Sequence, residues 1–198
     1  MRLAENAYRA LEAVSARALS AAGWCYLAMT LIICFDIFAR RLLGFSTEAT
    51  SELTGYLLAV GMTWGLAGTL FERAHVRIDV LVQRLPIGLR VWLHLLALAT
   101  LLLATGFFVF GATRLALYSW ELGATDLSGI STPLVAPQGL WAAGFVLLFL
   151  AVLALGARSL RLVLDGRAEQ ADAALASRSY EDEAKETLEA VGSAEPKR

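Results

Sequence analysis

Few side chains in this sequence offer reactive chemistry. Two histidines, His75 and His94, and two cysteines, Cys25 and Cys34, are its whole supply of imidazole and thiol. A Ser–His–Asp arrangement needs nucleophile, imidazole and carboxylate within hydrogen-bond reach, and no G-x-S-x-G elbow or metal-spaced His/Cys cluster accompanies these residues. The expectation is therefore not an enzyme, with no cofactor and no metal. Cys25 and Cys34 stand nine positions apart in one apolar run. At roughly 100° per residue they point to opposite sides of a helix and cannot bridge each other. The sharper alternative is a haem- or quinone-associated membrane anchor, which takes axial imidazoles from two facing helices. His75 weakens that reading, because it lies in a charged stretch beside Arg73 and Arg77 where a solvated histidine needs no ligand role.

The elements that must position these residues are long and apolar. Four stretches, at about 19–38, 53–71, 91–117 and 140–157, each approach the ~20 residues that a helix needs to cross a hydrocarbon core while satisfying its own backbone. The composition is 58% hydrophobic, with a mean hydropathy of +0.60, above the usual range of soluble domains. A soluble helical core would show one apolar face per helix, whereas these stretches are apolar all round. The fold class expected is all-α: an integral membrane four-helix bundle with short interfacial amphipathic helices. The first stretch ends in Asp36, Arg40 and Arg41 instead of a small-residue cleavage site, so it reads as a retained helix. The formal net charge of −1 implies no nucleic-acid surface.

Three regions flank or connect the spans. Residues 1–17 form an amphipathic N-terminal segment, with Leu3, Ala7, Leu11 and Val14 at helical spacing. Ile78, Leu81, Val82 and Leu85 follow the i, i+3, i+4, i+7 rule ahead of Pro86, which predicts a short interfacial helix between spans two and three. The tail, 165–198, holds nine acidic and five basic side chains and is expected to be flexible or a frayed helix. Basic residues set the orientation: the N-terminal segment, the second connection (Arg73, Arg77, Arg84, Arg90) and the region after span four (Arg158, Arg161, Arg167) share one side. Both termini are then expected in the cytoplasm. Arg40 and Arg41 fall on the outer side, and Asp36 stands four residues before Arg40 in the order that favours pairing. Trp24, Trp92, Trp120 and Trp141 fall near span ends, as interfacial indoles do, while Trp64 lies deeper and needs a packing explanation.

Span two carries the most information. Thr54, Gly61, Gly65 and Gly68 form one stripe where another helix backbone could come close, while Glu52, Tyr56 and Thr63 lie roughly opposite. The expectation is two protein neighbours for this helix, one inside the bundle and one beyond it. The middle of every span is free of Asp, Glu, Lys and Arg, and no internal repeat or span-breaking proline is present, so the chain lacks the means to build a transport site alone.

The run from Ser51 to Pro86 opens with Glu52 and Tyr56, carries Gly65 in mid-helix, and continues through Arg73 and the string His75, Val76, Arg77, Ile78, Asp79 to Leu85 and Pro86. With the F-x-R-R-x-x-G of Phe38, Arg40, Arg41 and Gly44, and the S-T-P-L-V-A-P that begins at Ser131, it resembles the small membrane subunit of tripartite ATP-independent periplasmic (TRAP) transporters. Many members carry Trp-Ser-Glu-Glu before helix two; this chain has Ala49, Thr50, Ser51, Glu52, with Phe45 and Glu48 nearby. The resemblance implies a scaffold in a secondary transporter of the bacterial inner membrane. A periplasmic solute-binding protein would capture a small organic anion such as a carboxylate, and a large membrane subunit would move it. It further implies a partner interface drawn from Arg40, Arg41, Glu48, Glu52, Tyr56, Gly61, Gly65 and Gly68, and a cytoplasmic motif of Arg73, His75, Arg77 and Asp79 in which His75 and Asp79 pair and the arginines meet lipid headgroups. An independent small channel or exporter is the remaining rival.

Overall fold

The computed structural model describes residues 2–45, 49–73, 85–129, 131–176 and 188. The apolar stretches become α1 (Arg2–Phe38), α2 (Thr50–Phe71), α3 (Ile87–Leu122) and α4 (Val135–Leu164), each long and apolar enough to cross a membrane. A short α5 (Ala168–Leu175) follows. The fold is an all-α membrane bundle.

The helices outrun the apolar stretches where nothing stops them. Neither Gly nor Pro occurs between Arg2 and Ala22, so the N-terminal segment, expected to lie on the membrane as a separate element, is continuous with span one. That makes α1 about 55 Å long at ~1.5 Å per residue. Its far end widens into a π-helical turn, Ala39–Leu43, which Gly44 closes with a φ of 71° that favours glycine. This accounts physically for the R-R-x-x-G spacing. Pro137 sits in the first turn of α4, where its missing N–H is tolerated. The loop 123–134 is pinned across itself by an isolated bridge between Thr125 and Pro133. The interfacial helix expected over 78–85 falls outside the described residues, Leu85 apart.

Packing follows the order α1–α2–α4–α3. The principal contacts are α1 with α2, α2 with α4 and α4 with α3; α1 meets α4 more sparsely, and α3 has no comparable contact with α1 or α2 among the described residues. The bundle is thus open, closer to a file than a ring. Four threonine hydroxyls inside the spans are satisfied locally: Thr30, Thr63, Thr100 and Thr105 each donate to a carbonyl four residues back, at 2.8–3.1 Å. Trp64 finds its packing explanation by donating its indole N–H to the Leu140 carbonyl of α4 at 2.8 Å.

The core lies toward the face where α1 begins and α4 ends, here the terminal face. Ala67, Leu70, Leu98, Leu148, Val152 and Leu155 are buried there together with Leu175 of α5. Residues 168–175, expected to be frayed or flexible, are instead a docked helix. Gly166, at φ 74°, turns the chain back after α4, and Ala171, Asp172 and Leu175 are buried. Asp172 accounts for the difference. Its carboxylate takes a two-pronged hydrogen bond from the Arg90 guanidinium, one prong at 2.7 Å, and lies 3.8 Å from Nε2 of the buried His94. The rest of the acidic tail lies outside the described residues, Leu188 apart.

Candidate functional site

The opposite face gathers the polar residues that sequence placed at the ends of spans one and two. Asp36, buried at 4% exposure, holds Arg40 at 2.7 Å, the i,i+4 pair expected from its spacing. Arg41 is exposed and has no ion pair among the described residues. Glu48 lies outside the described residues. Glu52 stands in the first turn of α2, one turn before Tyr56, yet neither is tied to Arg40 or Arg41.

Tyr56 instead donates its hydroxyl to Asp126 Oδ2 at 3.0 Å. The other carboxylate oxygen of Asp126 accepts from the Ser128 hydroxyl at 2.7 Å, the Ser128 N–H at 3.2 Å and the Thr132 N–H at 3.0 Å. This is an Asx-turn network that knots the α3–α4 loop and staples it to α2. The Ser128 hydrogen bond leads those that hold the Asp126 carboxyl below its ordinary range, against a smaller desolvation effect. A lowered carboxylate pKa stabilises the fold above the unfolded value of about 4, and the effect is lost only as pH falls through the lowered native value. The knot should therefore be insensitive to pH across the neutral range. In Tyr56→Phe the knot survives but its staple to α2 is gone, so hydrogen exchange over 124–134 should rise several-fold at neutral pH. Unchanged exchange there would deny the staple. Asp126 was missed in the sequence; the D-x-S pattern before Thr132 marks an Asx turn, but nothing local names a partner 70 residues away.

Beside this knot two acceptors are left over. Glu52 Oε2 and Gln138 Oε1 are both buried without a hydrogen-bond partner among the described residues. A buried carboxylate oxygen lacking a donor is costly, and a donor supplied from outside the chain removes the cost.

The glycine stripe is occupied from within. A Cβ at Gly61 would sit 3.3 Å from Cys25 Cβ, at Gly65 3.5 Å from Ala22 Cβ, and at Gly68 2.6 Å from Leu19 Cβ and 2.9 Å from the Ser15 carbonyl. All three glycines let α1 approach. Thr63, on the other side, packs into Gly144 of α4, where a Cβ would fall 2.4 Å from its Oγ1. The glycine stripe and the Thr63 side of α2 are thus both taken by helices of this chain, α1 and α4. What α2 leaves open is a third face, Ser51, Gly55, Leu58 and Met62, exposed at i, i+4, i+7, i+11 and adjoining Glu52. A Cβ at Gly55 would meet nothing within 4 Å.

On the terminal face, Arg73 closes α2 in a left-handed conformation, φ 55°, and sends its guanidinium to the Ala173 carbonyl of α5 at 2.7 Å. It therefore holds α5, a role the sequence did not indicate. His75, Arg77 and Asp79 lie outside the described residues. His94 is engaged beside Asp172, which gives this histidine a packing role. Arg114, passed over in the sequence, stands over the Phe110 ring at 5.8 Å near the far end of α3.

Residues 29–162, more than half of the chain, match the family model described as tripartite ATP-independent periplasmic transporters, DctQ component. The chain belongs to this family. A DctQ component is the small membrane component of a TRAP transporter, and this is a transporter-component family, not an enzyme family. The DctQ match runs from the last quarter of α1 to the last turn of α4, so the polar knot and the open face of α2 lie inside it. Most of α1, up to residue 28, and all of α5 lie outside it. No curated protein and no solved structure is matched.

Proposed function

We propose that this DctQ component is the scaffold of a TRAP transporter that imports small organic anions such as carboxylates. It holds a large membrane subunit in the bacterial inner membrane, with both termini in the cytoplasm, and helps a periplasmic solute-binding protein dock. The observation that carries this reading is the buried, undonated Glu52 Oε2 next to the unfilled Ser51–Gly55–Leu58–Met62 face of α2. An apolar strip with one glycine and one acceptor suits a second transmembrane helix that brings a basic or N–H donor, because association in lipid depends on close packing and hydrogen bonding. The network around Asp126 and Tyr56 supports it by tying the α3–α4 loop to α2 at the same end as Glu52. The arginines at the terminal face agree with a cytoplasmic assignment. Substrate and coupling ion are handled by the other subunits.

Co-expression with the large subunit tests the reading. Glu52→Ala should lower its co-purification roughly tenfold, the worth of a hydrogen bond to a charged group, and Gly55→Leu should do the same by filling the strip. Uptake should fall in step. Full assembly and uptake in both variants would refute the interface.

A further inference from the structure

On the terminal face a cleft of about 1000 Å³ opens between the first turns of α1 and the last turns of α4, and is bounded below by the start of α5. Its upper wall is hydrocarbon: Leu11 from α1, with Leu150, Leu153, Ala154 and Ala157 from α4. Its lower rim is basic: Arg9, Arg158, Arg161 and Arg167, against only Glu5 and Asp165. Leu153 and Arg161 are eight residues apart on one helix, so the greasy wall and the charged rim are separated by about 12 Å along its axis.

The arginines differ in their freedom. Arg9 shares Glu5 at 3.5 Å. Arg158 lies over the Tyr8 ring at 4.4 Å, and that ring is braced edge-on against Phe71 of α2 at 5.5 Å, so the guanidinium is held in place at the mouth. Arg161 and Arg167 have no ion-pair partner among the described residues.

We infer that this cleft is a binding site for one anionic phospholipid, its phosphodiester held by Arg158, Arg161 and Arg167 and an acyl chain laid against Leu150 and Leu153. The order of chemistry along α4, hydrocarbon deeper in the bilayer and cations at its surface, is the order of a lipid molecule. A free phosphate would leave the apolar wall bare, and a zwitterionic lipid would leave the net positive rim unbalanced. Leu150, Leu153, Arg158 and Arg161 lie within the residues matched by the DctQ family, while Arg167 and the α1 wall of the cleft lie outside them.

The test uses the full-length subunit alone, so its outcome does not depend on the scaffold reading. Delipidated protein is offered phosphatidylglycerol or phosphatidylcholine of identical acyl chains, and retained lipid is counted by native mass spectrometry. Phosphatidylglycerol should be retained preferentially. Arg161→Gln and Arg167→Gln should each weaken retention roughly fivefold, as expected for one arginine near a membrane surface. Ala157→Trp, at an exposed position, should block the groove without removing charge, while Arg114→Gln on α3 should change nothing. Equal retention of both lipids, an equal loss in Arg114→Gln, or undiminished retention in Ala157→Trp would overturn the site. So would displacement of the lipid by inorganic phosphate or by a peptide of residues 177–198, which would assign the rim to a different ligand.

Discussion

Gly144→Ala is expected to weaken the seam between α2 and α4, and Gly144→Leu to break it. The alanine Cβ would fall 2.4 Å from Thr63 Oγ1 and 2.7 Å from Trp64 Cδ1. Neither neighbour moves easily: Thr63 is fully buried with its hydroxyl on the Ala59 carbonyl, and Trp64 is anchored to Leu140. The helices themselves must separate, at about 1–3 kcal/mol for the alanine and more for the leucine. Water-expelling forces do not compensate between helices in lipid, where packing contacts carry association. Thermal unfolding in detergent should show a clearly lowered midpoint for Gly144→Ala. Gly55→Ala, with open space at its Cβ, should leave the midpoint unchanged. Equal midpoints for the two variants would contradict the seam.

The second large effect concerns α5. Asp172→Ala strands the Arg90 guanidinium and removes the carboxylate facing His94. The side chains of Arg90 and Asp172 are 22% and 10% exposed, between a fully buried and a surface pair, so the loss is set at about 2 kcal/mol, or roughly thirtyfold in the docking equilibrium. Hydrogen exchange over 168–176 should accelerate accordingly while α2 and α4 keep their protection. Asp172→Asn, which keeps the shape but not the charge, should lie between the two. An unaltered exchange pattern in Asp172→Ala would mean that Leu175 and Arg73 suffice to hold α5.

Span number, helix class and the packing stripe of α2 were legible in the sequence because each rests on local information: apolar length, and glycine at helical spacing. The Asp36–Arg40 pair was legible for the same reason. Which helix uses a stripe is not local. Gly61, Gly65 and Gly68 announce a close approach but name no addressee, and the addressee is α1. The Tyr56–Asp126 and Arg90–Asp172 contacts join positions 70 and 82 residues apart, beyond any periodicity. Residues 168–175 read as a solvated tail because Ala, Glu and Gln dominate them; Asp172 becomes a burial signal only once Arg90 is known to face it. Arg114 escaped because it stands near the end of a long apolar stretch whose average hides one charge.

The file of helices also determines which solvent the subunit meets. A near-file of helices has two broad flanks and an interior confined to the terminal face, so any neighbour seated along one flank leaves the other bathed in hydrocarbon. Bilayer thickness then bears directly on the 22-residue α2, about 33 Å long, whose middle position lets it pass any tilt to the rods on either side.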